Sequence, residues 1–130
     1  MAQDNVDVIE SAWGAFRKGD IETVLGYFAD SAEIVAPASL PWGGTYEGPE
    51  GMRTFLARAL EHFTDFKAVP EKVLGADDNH VIVVARNTGR TKAGTRVEQQ
   101  VVWIYRLRDG AITGAEIHAD TAATLEALGS

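Results

Sequence analysis

Glu116, His118 and Asp120 alternate with Ile117 and Ala119 near the end of a 130-residue chain. Alternate side chains of a strand share a face, so this spacing aims two carboxylates and an imidazole the same way. Such a set could move protons. A carboxylate in an apolar setting has its pKa raised toward neutrality, and an imidazole titrates there already. Asp120 is the candidate general base, with His118 to orient it or to donate to a developing oxyanion. The plainer reading is equally concrete: Asp120 directly precedes a helical segment and could cap its first turn, leaving Glu116 and His118 on the wet side of a strand.

The elements that must position these groups follow from turn signals and hydrophobic period. "HVIVVARNTGR" and "RVEQQVVWIYRLR" are rich in β-branched residues, and Asp109-Gly110 is a two-residue hairpin signal leading into "AITGAEIHA". Pairing Arg108 with Ala111 and counting outward sets Tyr105 opposite Gly114, Trp103 opposite Glu116, Val101 opposite His118 and Gln99 opposite Asp120. This face is expected to look inward and line a pocket. The other face, with Val102, Ile104 and Ile117, is expected to be covered by a second copy of the chain. Arg86 also turns inward if Ala93-Gly94 forms a two-residue turn.

Upstream, the period is helical. Val6, Ile9, Trp13 and Phe16 share one helix face, Lys18-Gly19-Asp20 ends that helix, and Asp20 can cap a second carrying Ile21, Val24, Leu25 and Phe28. A short strand, Ala32 to Ala36, stops at Pro37. The loop "PASLPWGGTYEGPEG" follows, and its Trp42 reads either as a lid or as part of a rigid turn. Pro49 suits the first turn of a third helix, whose apolar stripe includes Met52, Phe55, Leu56 and Phe63. Pro70 marks an edge strand or a bulge, and "TAATLEALG" closes the chain as a short helix. Helices first and a meander afterwards predict an α+β fold, a curved antiparallel sheet wrapped around three N-terminal helices, with residues 1–130 forming one domain.

Composition removes several classes of function. With no cysteine, thiolate catalysis and cysteine-ligated metal centres are excluded. The net charge of −7 and the lack of a basic cluster argue against nucleic acid. No apolar run approaches membrane length, and the N-terminus lacks a signal-peptide pattern, so no membrane role and a cytoplasmic location are expected. His62, His80 and His118 have no zinc spacing, and the glycines form no phosphate loop, so no metal and no cofactor are expected.

Three stretches, "FRKGDIETVLGYFADSAEIVAP", "GGTYEGPEGMRTFL" and "YRLRDGAITGAEIHADTAATLEALG", resemble the SnoaL-like branch of the nuclear transport factor 2-like superfamily. The family includes ketosteroid isomerases, polyketide cyclases, scytalone dehydratases and limonene epoxide hydrolases. The resemblance implies a cone-shaped α+β barrel, an apolar pocket between sheet and helices, and commonly a homodimer across the sheet. The isomerases' Tyr and two Asp fall here on Ala12, Ala36 and Trp103, which denies that reaction. The cyclases' single Asp near the end of the last strand matches Asp120. Epoxide hydrolases use an Asp–Arg–Asp set, for which Arg86 could supply the Arg, but the second Asp is replaced by Thr88. The expectation is therefore a cofactor-free cyclase, isomerase or lyase acting on an apolar carbonyl-bearing molecule, with Asp120 and His118 catalytic. The expected pocket is Trp13, Phe16, Trp42, Phe55, Arg86, Gln99, Val101, Trp103, Tyr105 and Glu116. The alternatives are a non-catalytic binding protein of the same fold and an epoxide hydrolase-like enzyme.

Overall fold

The computed structural model describes residues 2–128. Helices α1 (Ala2–Arg17) and α2 (Ile21–Gly26) are followed by strands β1 (Phe28–Ala36) and β2 (Gly44–Glu47) and then by α3 (Gly48–Leu60). A meander of β3 (Phe63–Gly75), β4 (His80–Thr91), β5 (Arg96–Arg108) and β6 (Ala111–His118) follows, and α4 (Thr121–Leu128) closes the fold. The six strands form one open sheet in the order β2-β1-β6-β5-β4-β3. All pairs are antiparallel except β1 with β6, a crossover that lets α3 pack on the sheet. The α+β class and the curved sheet around three helices agree with the sequence. Three details do not: Phe28 begins β1 rather than sitting on the second helix, the loop after Pro37 contains β2, and Phe63 begins β3 rather than lying on the third helix. Gly129, expected in the closing helix, lies outside the described residues.

The periodic stripes make the core. Ile9 and Trp13 of α1, Met52, Phe55 and Leu56 of α3, and Val81, Val83 and Ala85 of β4 are all buried. Helix ends are secured by side chains. Asp20 accepts hydrogen bonds from the Thr23 hydroxyl at 2.7 Å and the Thr23 N–H at 3.3 Å, capping α2. Those bonds hold its carboxyl below the usual aspartate range. The amide of Asn5 donates to the Asp78 carbonyl at 2.8 Å, tying the start of α1 to the β3–β4 turn. Pro70 sits on edge strand β3 beside a register shift, as a proline in a sheet must.

The decisive local feature is in β6. Asp109 and Gly110 both take positive φ, the geometry of a tight hairpin turn, and Arg108 pairs with Ala111 as expected. Leu107 then pairs with Ile112, but Arg106 pairs with Gly114, leaving Thr113 as an extra residue. This is a β-bulge, and one inserted residue exchanges the two faces of everything beyond it. Ile104 therefore lies opposite Glu116, Trp103 opposite Ile117 and Val102 opposite His118. The predicted register fails by one residue.

Candidate functional site

That single residue moves the presumed acid–base set out of the interior. Ala115 and Ile117 are buried on the concave face, whereas Glu116 and His118 are exposed on the convex one. Glu116 is thus not a pocket residue, and Ile117 does not belong to the outer apolar patch. His118 faces away from the cavity that it was expected to serve. Asp120 is exposed beyond the strand's end, at the N-cap position of α4, where its carbonyl accepts from the Thr124 N–H at 3.1 Å. Arg86 is corrected as well. The β4–β5 connection spans residues 92–95 rather than two residues, so Arg86 pairs with Gln100 on the convex face. There its guanidinium lies 3.4 Å from the Glu71 carboxylate.

What occupies the interior is an aromatic cavity of about 120 Å³, partly open to solvent. Its enclosed part is comparable with cavities that hold a single aromatic ring, and a longer guest extends toward the open part. Of the residues expected to line a pocket, Trp13, Phe16, Trp42, Phe55, Gln99, Val101, Trp103 and Tyr105 do so. The helices bring Trp13 and Phe55 down onto the sheet, where each meets the Trp103 ring edge-on, with centroids 5.8 Å and 6.0 Å away. Trp103 in turn stacks on Tyr105, its neighbour on the same strand face, at 5.5 Å and 11°. Trp42 is buried rather than flapping at the mouth, packed against His62 and Phe63.

Polar groups are few, and each has a definite disposition. The Tyr105 hydroxyl accepts a hydrogen bond from the Trp13 indole N–H at 3.0 Å, and among the described residues its own proton has no acceptor. Tyr105 is also the only titratable group among the described lining residues. Burial pushes its phenol above the ordinary tyrosine value, so it stays protonated and keeps its O–H as a donor. Gln99 is fully committed: its carbonyl accepts from the Asp120 N–H at 3.1 Å, and its amide donates to the Thr124 hydroxyl. Asn87, Thr88 and Thr124 complete the polar lining and were missed by sequence reasoning. The only signal for Asn87 was its place in the alternation Val81, Val83, Ala85, Asn87. That signal is ambiguous because Ile82 and Val84 on the other face are equally apolar. No group of three potential metal ligands occurs among the described residues, and no described helix is long and apolar enough to cross a membrane.

A family model described as the SnoaL-like domain matches residues 9–115. The uncharacterized protein Rv0034 of Mycobacterium tuberculosis (strain ATCC 25618 / H37Rv) is 27% identical over 122 residues, 92% of each chain. Among solved structures, TerC co-crystallized with polyporic acid has 27% identity and a TM-score of 0.88, covering 98% of this chain and 99% of its own. A protein from a soil-derived mobile gene cassette has 26% identity and a TM-score of 0.89, with 98% of each chain covered.

Proposed function

The chain belongs to the SnoaL-like domain family of the nuclear transport factor 2-like superfamily, and from that premise we propose that its cavity binds a flat, largely apolar molecule bearing a carbonyl group. One observation carries this reading: an aromatic cavity whose single titratable group among the described residues is a neutral phenol, with no acceptor for its proton among them. Stacked and edge-on rings favour a planar guest, and the Tyr105 O–H is a donor for a carbonyl oxygen. The Trp13 N–H strengthens that donor by hydrogen-bonding to its oxygen. The co-crystallization of TerC with polyporic acid, at 27% identity over nearly the whole chain, supports a small-molecule guest. Binding is preferred to turnover because no carboxylate or imidazole is among the described lining residues, and a general base must reach the proton that it takes.

The test is calorimetric titration with flavone, a planar aromatic ketone. Tyr105→Phe is expected to weaken flavone binding roughly tenfold, the worth of one good hydrogen bond. Asp120→Asn is expected to leave the affinity unchanged and the flavone to be recovered unaltered. Conversion of an aryl ketone that stops in Asp120→Asn would instead restore the enzymatic reading, with Asp120 as base.

The convex face supports a homodimer. Ile82, Val84, Val102 and Ile104 form a contiguous half-buried patch there, and Val69 and Leu74 are 43% and 50% exposed on the adjoining edge strand. A patch of this kind costs solubility unless it is covered. Ile104→Lys, at its centre, is expected to turn a dimer into a monomer in analytical ultracentrifugation. A dimer that survives the substitution would move the interface elsewhere.

A further inference from the structure

Asn87 and Gln99 are cross-strand partners on the concave face, two amides side by side on the cavity wall. Their circumstances are opposite. Gln99 spends both ends of its amide on α4, on the Asp120 N–H and the Thr124 hydroxyl. Asn87 spends neither. Its side chain makes no hydrogen bond among the described residues, and its Oδ1 is fully buried with no partner. Buried amides are almost always satisfied, and an exception needs a reason. Nothing in the fold requires a polar residue at this position. Ala85, two residues earlier on the same strand face, and Ala68, opposite Asn87 on β3, are both buried and apolar.

The geometry points to Asn87 as a second recognition residue, so that the ligand is an aromatic ketone also carrying a hydroxyl group remote from its carbonyl. This rests on the cavity reading above and deepens it. Tyr105 pairs with Val81 and Gln99 with Asn87, so the two recognition groups lie six residues apart along β4. Measured along the backbone that is about 20 Å of strand, and both side chains line the one cavity. The guest is therefore elongated, with its polar groups toward opposite ends. A hydroxyl suits Asn87 because it can both donate and accept, and so match whichever end of the amide it meets. A carboxylate does not suit it, since no cation is among the described residues lining the cavity.

The experiment compares flavone with flavones hydroxylated singly on either terminal ring, by calorimetry on the wild type and on Asn87→Leu. At least one hydroxylated flavone is expected to bind the wild type about tenfold more tightly than flavone, and this gain is expected to vanish in Asn87→Leu. The gain is read within each protein, as the ratio of the hydroxylated flavone's affinity to that of flavone. The variant's melting temperature should be equal or higher, because an unsatisfied amide has been removed. If no hydroxylated flavone gains, if the gain persists in Asn87→Leu, or if the variant melts lower, Asn87 is not a recognition residue. If flavone itself does not bind the wild type, the cavity reading fails first and the inference with it.

Discussion

Insertion of one alanine after Thr113 is expected to abolish the native state, although Thr113 itself touches neither the cavity nor any buried partner of weight. Thr113 is the bulged residue of β6, already one more than β5 can pair, and a second extra residue shifts every later pair by one. Each residue downstream then moves to the opposite face. Ile117, now 8% exposed in the core, would face solvent, forfeiting about 2 kcal/mol of burial. Glu116 and His118 would face Trp103 and Val101, and placing unpaired ionisable groups there costs several kcal/mol each. Those costs together match the whole stability of an ordinary domain, about 5–15 kcal/mol. Thr113→Ala is the control. It keeps the bulge and removes the hydroxyl's bond to the Arg106 carbonyl at 3.2 Å and the one that it accepts from the Arg106 Nε–H at 3.4 Å, a loss of about 1 kcal/mol. Circular dichroism melts should show Thr113→Ala shifted by a few degrees and the insertion without a cooperative transition. An insertion variant that melts cooperatively near the wild type would mean that the bulge widens and absorbs the added residue.

The same bulge explains how much of this protein could be read from its sequence. The helices were legible because Ile9 with Trp13 and Met52 with Phe55 and Leu56 are spaced for a single buried face, and no competing pattern exists. The hairpin was legible because Asp-Gly specifies its own backbone. Register beyond the turn was not, since "AITGAEIHA" offers apolar residues on both faces. Ile112 and Ile117 lie five apart, and no simple alternation can bury both. That odd spacing was the available signal of an inserted residue. Arg86 was lost for a related reason: the connection at residues 92–95 contains Gly94 but no dipeptide that fixes its length. The aromatic pocket residues survived because each error lay in a neighbouring strand, while β5 kept Gln99, Val101, Trp103 and Tyr105 on one face whatever its partners did. The chemistry failed where it depended on the one strand whose count was off.

The wall opposite β5 depends on a close backbone approach, and Gly43→Ala is the second substitution expected to have a large effect. Between Pro37 and Gly43 the chain closes through two hydrogen bonds, Leu40 N–H to the Pro37 carbonyl at 3.1 Å and Gly43 N–H to the Leu40 carbonyl at 2.8 Å. The Tyr46 hydroxyl fixes the next turn by donating to the Trp42 carbonyl at 2.8 Å. The closure places Leu40 and Trp42 in the cavity wall. A Cβ on residue 43 would overlap the Pro37 carbonyl oxygen and lie 2.9 Å from both the Ala38 Cα and the Leu40 carbonyl oxygen. All three are backbone atoms, so no rotamer change relieves the overlap, and the loop must open. Opening withdraws the indole of Trp42 from His62 and Phe63 and exposes the cavity. A loss of about 3 kcal/mol is expected in denaturant unfolding, with flavone affinity falling roughly tenfold or more. Two readouts separate the possibilities. If stability falls but flavone still binds normally, Trp42 is a structural residue of the loop and not a wall of the site. If neither changes, the loop accommodates a side chain at residue 43 and the close approach is not what holds Trp42 in place. Trp42 thus acts as a fixed wall, held by the backbone on one side and by two rings on the other, and access to the cavity has to come from a different edge.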